Sequence, residues 1–493
     1  MRAPGRGQVD VELVEAVGAA APAVERGADW RELVRRVPRR AWTVVAGVVV
    51  LTLGAGGFVE WRAERAQTSR LERIEGLTGS LAAPLTDVWE APGEGVIGII
   101  GDVLVLYGPE GEGVLGVGLD DGAPRWERSP GGSFGCWFVR GDGGTRAGWW
   151  QGPVDVLEPG SAVLACVDSV PFEGVSFPNL VTGSGGASAL GPQSEVSVLD
   201  PASGAILRRL VLPGSGHPTQ IEDSVVAVGL DAEDRLVGSR WSLLTGELAW
   251  EYTGPNVGRV AGVSMWSDTE TMTWEAGDVS VTLDSRTGDA IDPPSEGEPG
   301  ESELDRFTLP DGGTAVSSVI DGTGVELTVT DADGTPRFTT TGHAFEPLVD
   351  DGTAPHTMLV QPSGGAGIMA VDARTGEDLW RSATPRWASP VVLAGRVVLR
   401  EKDRVAAVDV HTGETVWEHD DHEPDAGGGL VTDGRTVLIL ARVDGQTSLV
   451  ARDVETGEQL WRIPSPVDAG ALQPLCDGRV LLSGSRRTVL LAP

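Results

Sequence analysis

From residue 81 to its end the chain is filled with short runs of β-branched and other apolar residues. Each run is bounded by Gly, Asp-Gly or Thr-Gly pairs. Such runs, alternating with period two or continuously apolar, predict strands rather than helices. The stretch RVAAVDVHTGETVWEH (404–419) shows the unit. Val405, Ala407 and Asp409 alternate along one strand, and Thr415 to Trp417 begin the next. Between them Asp409 can accept turn N–H groups, and Gly413 supplies the positive φ that a tight hairpin needs. Trp417 then stands on an outer strand, large enough to fill the wedge between neighbouring sheets. One stretch departs from this pattern. Ala41–Val59 is uncharged for 19 positions, which predicts a helix of roughly 28 Å, close to the hydrocarbon thickness of a bilayer. Trp42 and Trp61 flank it where indoles favour the membrane interface.

The strand pattern is an internal repeat. AVDARTGEDLW (Ala370–Trp380), AVDVHTGETVW (Ala407–Trp417) and ARDVETGEQLW (Ala451–Trp461) are nearly superimposable. Weaker copies place the leading Asp or its equivalent at 120, 200, 242, 284 and 331. A period near 40 residues suits one four-stranded propeller blade. Asp372, Gly376, Trp380, Asp409, Gly413, Trp417, Asp453, Gly457 and Trp461 are therefore expected to serve structure, as turn acceptors, turn glycines and wedges.

The full copies resemble the repeat of the pyrroloquinoline-quinone (PQQ) propeller family, Ala-x-Asp-x-x-Thr-Gly-x-x-x-Trp. The resemblance covers roughly residues 81–493. It implies an all-β, PQQ-like β-propeller, here preceded by one transmembrane α-helix. Raw counting gives nine blades and the resemblance implies eight; eight is expected, within a range of seven to nine, with one weak copy between 256 and 338 mis-scored. The last strands stop before any motif, while Pro84–Pro92 offers Trp89 with no inner strands before it. Pairing the two would close the ring and bury Trp89 between the first and last blades. The long gap after 120 predicts an insertion near 133–195, and the acid-rich 292–305 a solvated loop.

Charge sets location and excludes one class of partner. With 38 basic and 72 acidic side chains the formal charge is −34, which excludes free nucleic-acid binding. Arg26, Arg31, Arg35, Arg36, Arg39 and Arg40 precede the apolar run, against Arg62, Arg65, Arg70 and Arg73 after it. This positive-inside bias places the N-terminus in the cytosol and the acidic domain outside. A cleaved signal peptide is disfavoured by the 40-residue leader and the absence of an A-x-A site; a lipoprotein is disfavoured by the lack of a nearby Cys. The expected organisation is a mostly disordered cytosolic tail (1–40), a transmembrane helix (41–59), a juxtamembrane helix or linker (60–80) and the propeller (81–493). The protein is thus expected in the cell membrane, single-pass, with the propeller outside.

Candidate chemistry is sparse. Of three cysteines, Cys136 and Cys166 are placed to bridge on the oxidising side of the membrane, the alternative being two buried thiols. Cys476 reads as a core residue. The resemblance invites a quinone dehydrogenase, but those enzymes carry two adjacent cysteines and a Glu/Asn/Asp Ca²⁺ site. Here no cysteines are neighbours, and Asn179 and Asn256 match no such site. No catalytic, cofactor-binding or metal residue is carried over, and neither pyrroloquinoline quinone nor Ca²⁺ is expected. Asp331–Gly334 opens like a Ca²⁺ loop but has Gly342 where the bidentate carboxylate belongs. The H-D-D-H-E run from His419 reads as a solvated loop. Trp137, Trp149 and Trp150 either form an exposed ligand-facing patch or pack inside the insertion. The expected function is a membrane-anchored, extracytoplasmic, non-catalytic scaffold or ligand-binding domain for an unidentified protein or small ligand. The alternatives are a quinone- or metal-dependent oxidoreductase and a transmembrane sensor with a cytosolic partner.

Overall fold

The computed structural model describes residues 74, 77–109, 113–128, 133–140, 156–168, 194–212, 218–258, 263–267, 271–291, 302–320, 324–363, 367–382, 390–400, 404–420, 429–468, 470–475 and 478–493. All lie in one compact unit, Arg70–Pro493. Among them no helix is long and apolar enough to cross a membrane. The tail, the apolar run 41–59, most of the 60–80 linker, Trp149, Trp150 and Cys476 lie outside the described residues.

The described chain folds into nine sheets, each with four antiparallel strands, arranged as a nine-bladed propeller. Strands a to d run outward in each blade from the ring axis. Blades 1 to 8 span 94–128, 133–212, 219–256, 264–291, 302–341, 343–382, 391–419 and 430–464. Blade 9 takes its three inner strands from 471–492 and its outer strand from Thr86–Pro92. The expected eight blades become nine because both weak copies between 256 and 338 build complete sheets, 264–291 and 302–341. Their repeat motifs are degenerate, but their strand pairing is not.

The ring closes through Thr86–Pro92, which pairs antiparallel with Arg487–Ala492 and sets Trp89 opposite Leu490. The residues before it complete the seam. Thr78 donates its N–H to the Thr432 carbonyl (2.9 Å), Gly79 to that of Gly478 (2.7 Å), and Leu81 to the Asp433 carboxylate (2.7 Å). Leu81 and Leu85 are buried in the core shared by blades 8 and 9.

Residues 133–195 are not one insertion. Ser133–Arg140, Ala162–Asp168 and Ser194–Leu199 form strands a, b and c of blade 2. The extra chain is divided between the a–b connection (141–161) and the b–c connection (169–193). Val156–Leu157 returns along the inner edge of blade 1, parallel to its strand a. Val349–Asp350 does the same on blade 7.

Candidate functional site

The repeat residues show what the motif is for. Asp409 Oδ1 accepts the N–H groups of His411 and Thr412 (both 3.0 Å), and the turn closes with Gly413 N–H to the Asp409 carbonyl (2.8 Å). Asp372 and Asp453 make the same pairs with Arg374 and Thr375, and with Glu455 and Thr456. These carboxylates therefore act as turn acceptors. Partial burial pushes the carboxyls of Asp372 and Asp409 up, but the turn N–H groups outweigh it and hold both below the usual carboxylate range.

The motif tryptophan reaches across to the next blade. Trp380 donates its indole N–H to the Val410 carbonyl, and Trp417 to that of Val454 (both 2.8 Å). Each ring lies over the turn glycine of that next blade. A Cβ on Gly413 would stand 2.6 Å from Trp380 Cγ, and one on Gly457 2.6 Å from Trp417 Cγ. The glycine thus meets two demands, a positive φ (70° and 73°) and a flat seat for an indole. Trp89 binds the Leu119 carbonyl over Gly122, Trp126 the Pro201 carbonyl over Gly204, and Trp250 the Ser285 carbonyl over Gly288.

Two junctions vary the device. In blade 2, Arg208 takes the tryptophan's place, lying against Gly246 and donating to the Leu243 carbonyl (3.0 Å). In blade 5, Phe338 covers Gly376 and the neighbouring Arg337 supplies the bond to the Ala373 carbonyl (3.3 Å). Arg337 also pairs with Asp311 and Asp331 (2.8 and 2.6 Å), which commits the Asp331 turn to structure. Blade 1 corrects the sequence register. Its turn closes from Gly122 N–H to the Gly118 carbonyl, so Gly118, not Asp120, is the leading position. Asp121 provides the side-chain acceptor instead, to Ala123 N–H (3.0 Å).

Cys136 and Cys166 form a disulfide between directly opposed residues of strands a and b of blade 2. Both are buried in the blade 1–blade 2 core. The Tyr107 hydroxyl from blade 1 donates to the Cys136 carbonyl (3.0 Å). Burial pushes this phenol up to about 12, against a smaller lowering by the Cys136 backbone bond. Trp137, the next residue, is half-buried and packs on the blade 2–blade 3 core. Its indole N–H is buried with no hydrogen-bond partner among the described residues.

No described group of three or more His, Cys, Asp or Glu residues is arranged to hold a metal ion. His419 lies 5.8 Å from the Trp417 ring, centroid to centroid; Asp420 beside it is exposed, and residues 421–423 of the run lie outside the described residues. Asn256 is spent on a turn, donating to the Glu233 carbonyl and accepting Gly258 N–H (3.0 Å). The described cysteine pair rivets a sheet and Asn256 serves a loop; Asn179 and Cys476 lie outside the described residues. At the inner edge of blade 7, Asp350 keeps an exposed surface. The chain packed around it nevertheless desolvates and raises its carboxyl; the Gly352 N–H opposes this, and the charges of Asp351 and Glu346 add to it.

Residues 325–473 match the family model described as outer membrane protein assembly factor BamB. A search of curated proteins finds 31% identity over 139 residues to the serine/threonine-protein kinase AfsK of Streptomyces coelicolor, 27% of this chain. The chain spans 16% of the length of that relative. Among solved structures, BamB from Moraxella catarrhalis is similar at 15% identity over 83% of this chain and 100% of that one, with a TM-score of 0.40. Quinohemoprotein alcohol dehydrogenase from Comamonas testosteroni is similar at 14% identity over 86% of this chain and 79% of that one, with a TM-score of 0.38.

Proposed function

From a chain built of PQQ-like propeller repeats, we propose a membrane-anchored, extracytoplasmic scaffold or ligand-binding domain without catalytic activity. The observation that carries this reading is how the repeat side chains are used. The Asp carboxylates of Asp372, Asp409 and Asp453 are committed to turn N–H groups, and the indoles of Trp380 and Trp417 to the next blade. The recurring polar groups of the repeat are consumed in building the ring, which leaves its loops and inner edges to meet a partner. The match of 325–473 to the BamB assembly-factor model is in keeping with a protein-binding role. The uncharged run 41–59 and its arginine flanks support the anchor and its orientation.

A second reading, a sensor that signals through a cytosolic partner, draws on the 139-residue match to a protein kinase. Topology and chemistry are tested separately. Protease added to intact spheroplasts should digest the chain after Val59 and spare residues 1–40; protection of the propeller overturns the topology. The purified protein should neither bind pyrroloquinoline quinone with Ca²⁺ nor reduce a dye with alcohols or sugars. Stoichiometric quinone binding overturns the non-catalytic reading.

A further inference from the structure

The a–b connection of blade 6, residues 346–356, crosses to blade 7 before it returns to its own sheet. Leu348 donates its N–H to the Pro390 carbonyl (2.9 Å). Val349 and Asp350 pair in parallel with Val391 and Val392, and Asp351 donates to the Val392 carbonyl (3.0 Å). We propose that this strap is a coupling device. It and the segment that enters the propeller, residues 77–85, hold or release together, so that a disturbance at the inner edge of blade 7 reaches the start of the ring. The coupling is a property of the folded ring and holds whichever function proposed above is right.

The strap is fastened by side chains as well as by backbone. One Asp351 carboxylate oxygen accepts Ala394 N–H (2.8 Å), and the other accepts the N–H and the hydroxyl of Thr353 (2.9 and 2.5 Å). The Thr353 hydroxyl in turn accepts Gly395 N–H (2.9 Å). Ala394 and Gly395 form the a–b turn of blade 7. Ala394 sits there at a φ of 50°, which its Cβ disfavours, and its side chain has no polar atom to meet a turn N–H. The strap supplies an acceptor for each N–H, so turn and strap hold each other in place.

The entry segment is fastened to blade 8 by the reverse arrangement. Here the turn owns the carboxylate. One oxygen of Asp433 accepts Leu81 N–H (2.7 Å), and the other accepts the N–H groups of Arg435 and Thr436 (2.9 and 2.7 Å). Thr78 adds an N–H to the Thr432 carbonyl (2.9 Å) and a hydroxyl to that of Gly478 (2.7 Å).

The two segments then meet in one core. Val349 is buried in the cluster between blades 7 and 8, and Leu348, Leu77 and Ile74 pack against it. None of these four residues comes from blade 7 or blade 8. A core closed by side chains brought in on two separate segments loses packing around one when the other withdraws. That shared cluster is the physical link between the strap and the entry segment.

Hydrogen exchange on the full-length protein in detergent tests this. In the wild-type protein, peptides covering 346–356 and 77–85 should lose protection together as urea is raised below the unfolding transition, because one opening exposes both. Separate openings would overturn the proposal. The double variant D351A/T353V removes the clasp and leaves the backbone pairing. Exchange should quicken at least ~10-fold in both segments and stay unchanged in Ser224–Leu230 and Arg235–Ser242 of blade 3. L77A trims the entry segment alone and should quicken the strap, since coupling between two sites is reciprocal. A strap that loosens while 77–85 keeps its wild-type rate, or the reverse, would show two independent fastenings. Should D351A/T353V not fold, the wild-type titration and L77A decide the matter.

Discussion

The indole N–H of Trp461 donates to the carbonyl of Leu81, 2.7 Å away and 380 residues earlier in the chain. In blades 7 and 8 the equivalent acceptors are Val410 and Val454, which follow the turn aspartate directly. Blade 9 has no such turn, because its c and d strands come from opposite ends of the propeller. Residues 78–85 stand in for it. The segment that brings in the last strand also receives the wedge of the blade before.

Truncation should expose this double role. Trp89→Ala is expected to cost about 3–5 kcal/mol, the range for a buried aromatic, read from urea midpoints. A chain beginning at Gly95 should be far less stable than one beginning at Ser80, and one beginning at Pro84 intermediate, since it keeps the strand but loses Leu81. Equal midpoints for the three chains would rule the closure out.

Glycine substitutions separate the two demands on the turn. At Gly395, where φ is 72° and the Cβ would meet open space, Ala should cost only the backbone strain, about 1–2 kcal/mol. At Gly413 and Gly457 the same φ strain is joined by collision with Trp380 or Trp417, which should add ~1–3 kcal/mol. Trp fluorescence should shift for the Gly413 and Gly457 variants and not for the Gly395 one.

Removing the disulfide should destabilise by about 3 kcal/mol for a loop of this size. The Cys136→Ala/Cys166→Ala variant checks it by thermal denaturation. Because both sulfurs are in a packed core, a mild reductant should leave the folded protein oxidised, as read by thiol titration with and without urea. Rapid reduction of the native state would contradict the packing.

Acid should loosen the turns. Asp284 is held below its ordinary 3.8 by the N–H groups of Thr287 and Arg286, and Asp372 and Asp409 are lowered despite partial burial. A carboxylate lowered in the fold binds fewer protons there than in the unfolded chain. Its contribution is therefore complete above 3.8 and lost as pH falls through the folded values. Urea midpoints should hold from pH 7 to about 5 and drop below about 4. Asp409→Asn, which keeps a turn acceptor, should flatten that drop; an unchanged acid limb would argue against these aspartates as its source.

The fold was legible where the motif was whole. Asp372, Asp409 and Asp453 with their glycines and tryptophans announce hairpins that need only local geometry, and the period follows from them. Two things were hidden for physical reasons. Blade 4 has Asp292 at the wedge position and blade 5 has Phe338 in place of Trp, so the motif fades although strand pairing, which depends on backbone bonds, persists. The register of blade 1 slipped by two because Asp121 rather than the leading residue supplies the carboxylate. That the glycine is also a seat for the indole of the preceding blade is a relation between distant residues, and no spacing within one repeat reports it. The site was less legible still. Trp137 is a strand residue with its indole in a shared core, a placement that a stretch of Trp, Gly and Arg did not disclose.

Thr86 and Ala492 are strand neighbours, so the propeller is in effect a loop of chain cut once, inside one hairpin. Blade 8 draws on the cut as well, because the segment that enters there carries the Leu81 carbonyl on which Trp461 docks. Joining these two ends with a short Asp-Gly turn and reopening the chain in an exposed hairpin of blade 7 would give a circular permutant that keeps every strand pair and gives up the Leu81 seat of Trp461. The new turn would span residues that are already paired, so it would ask for no movement of either strand.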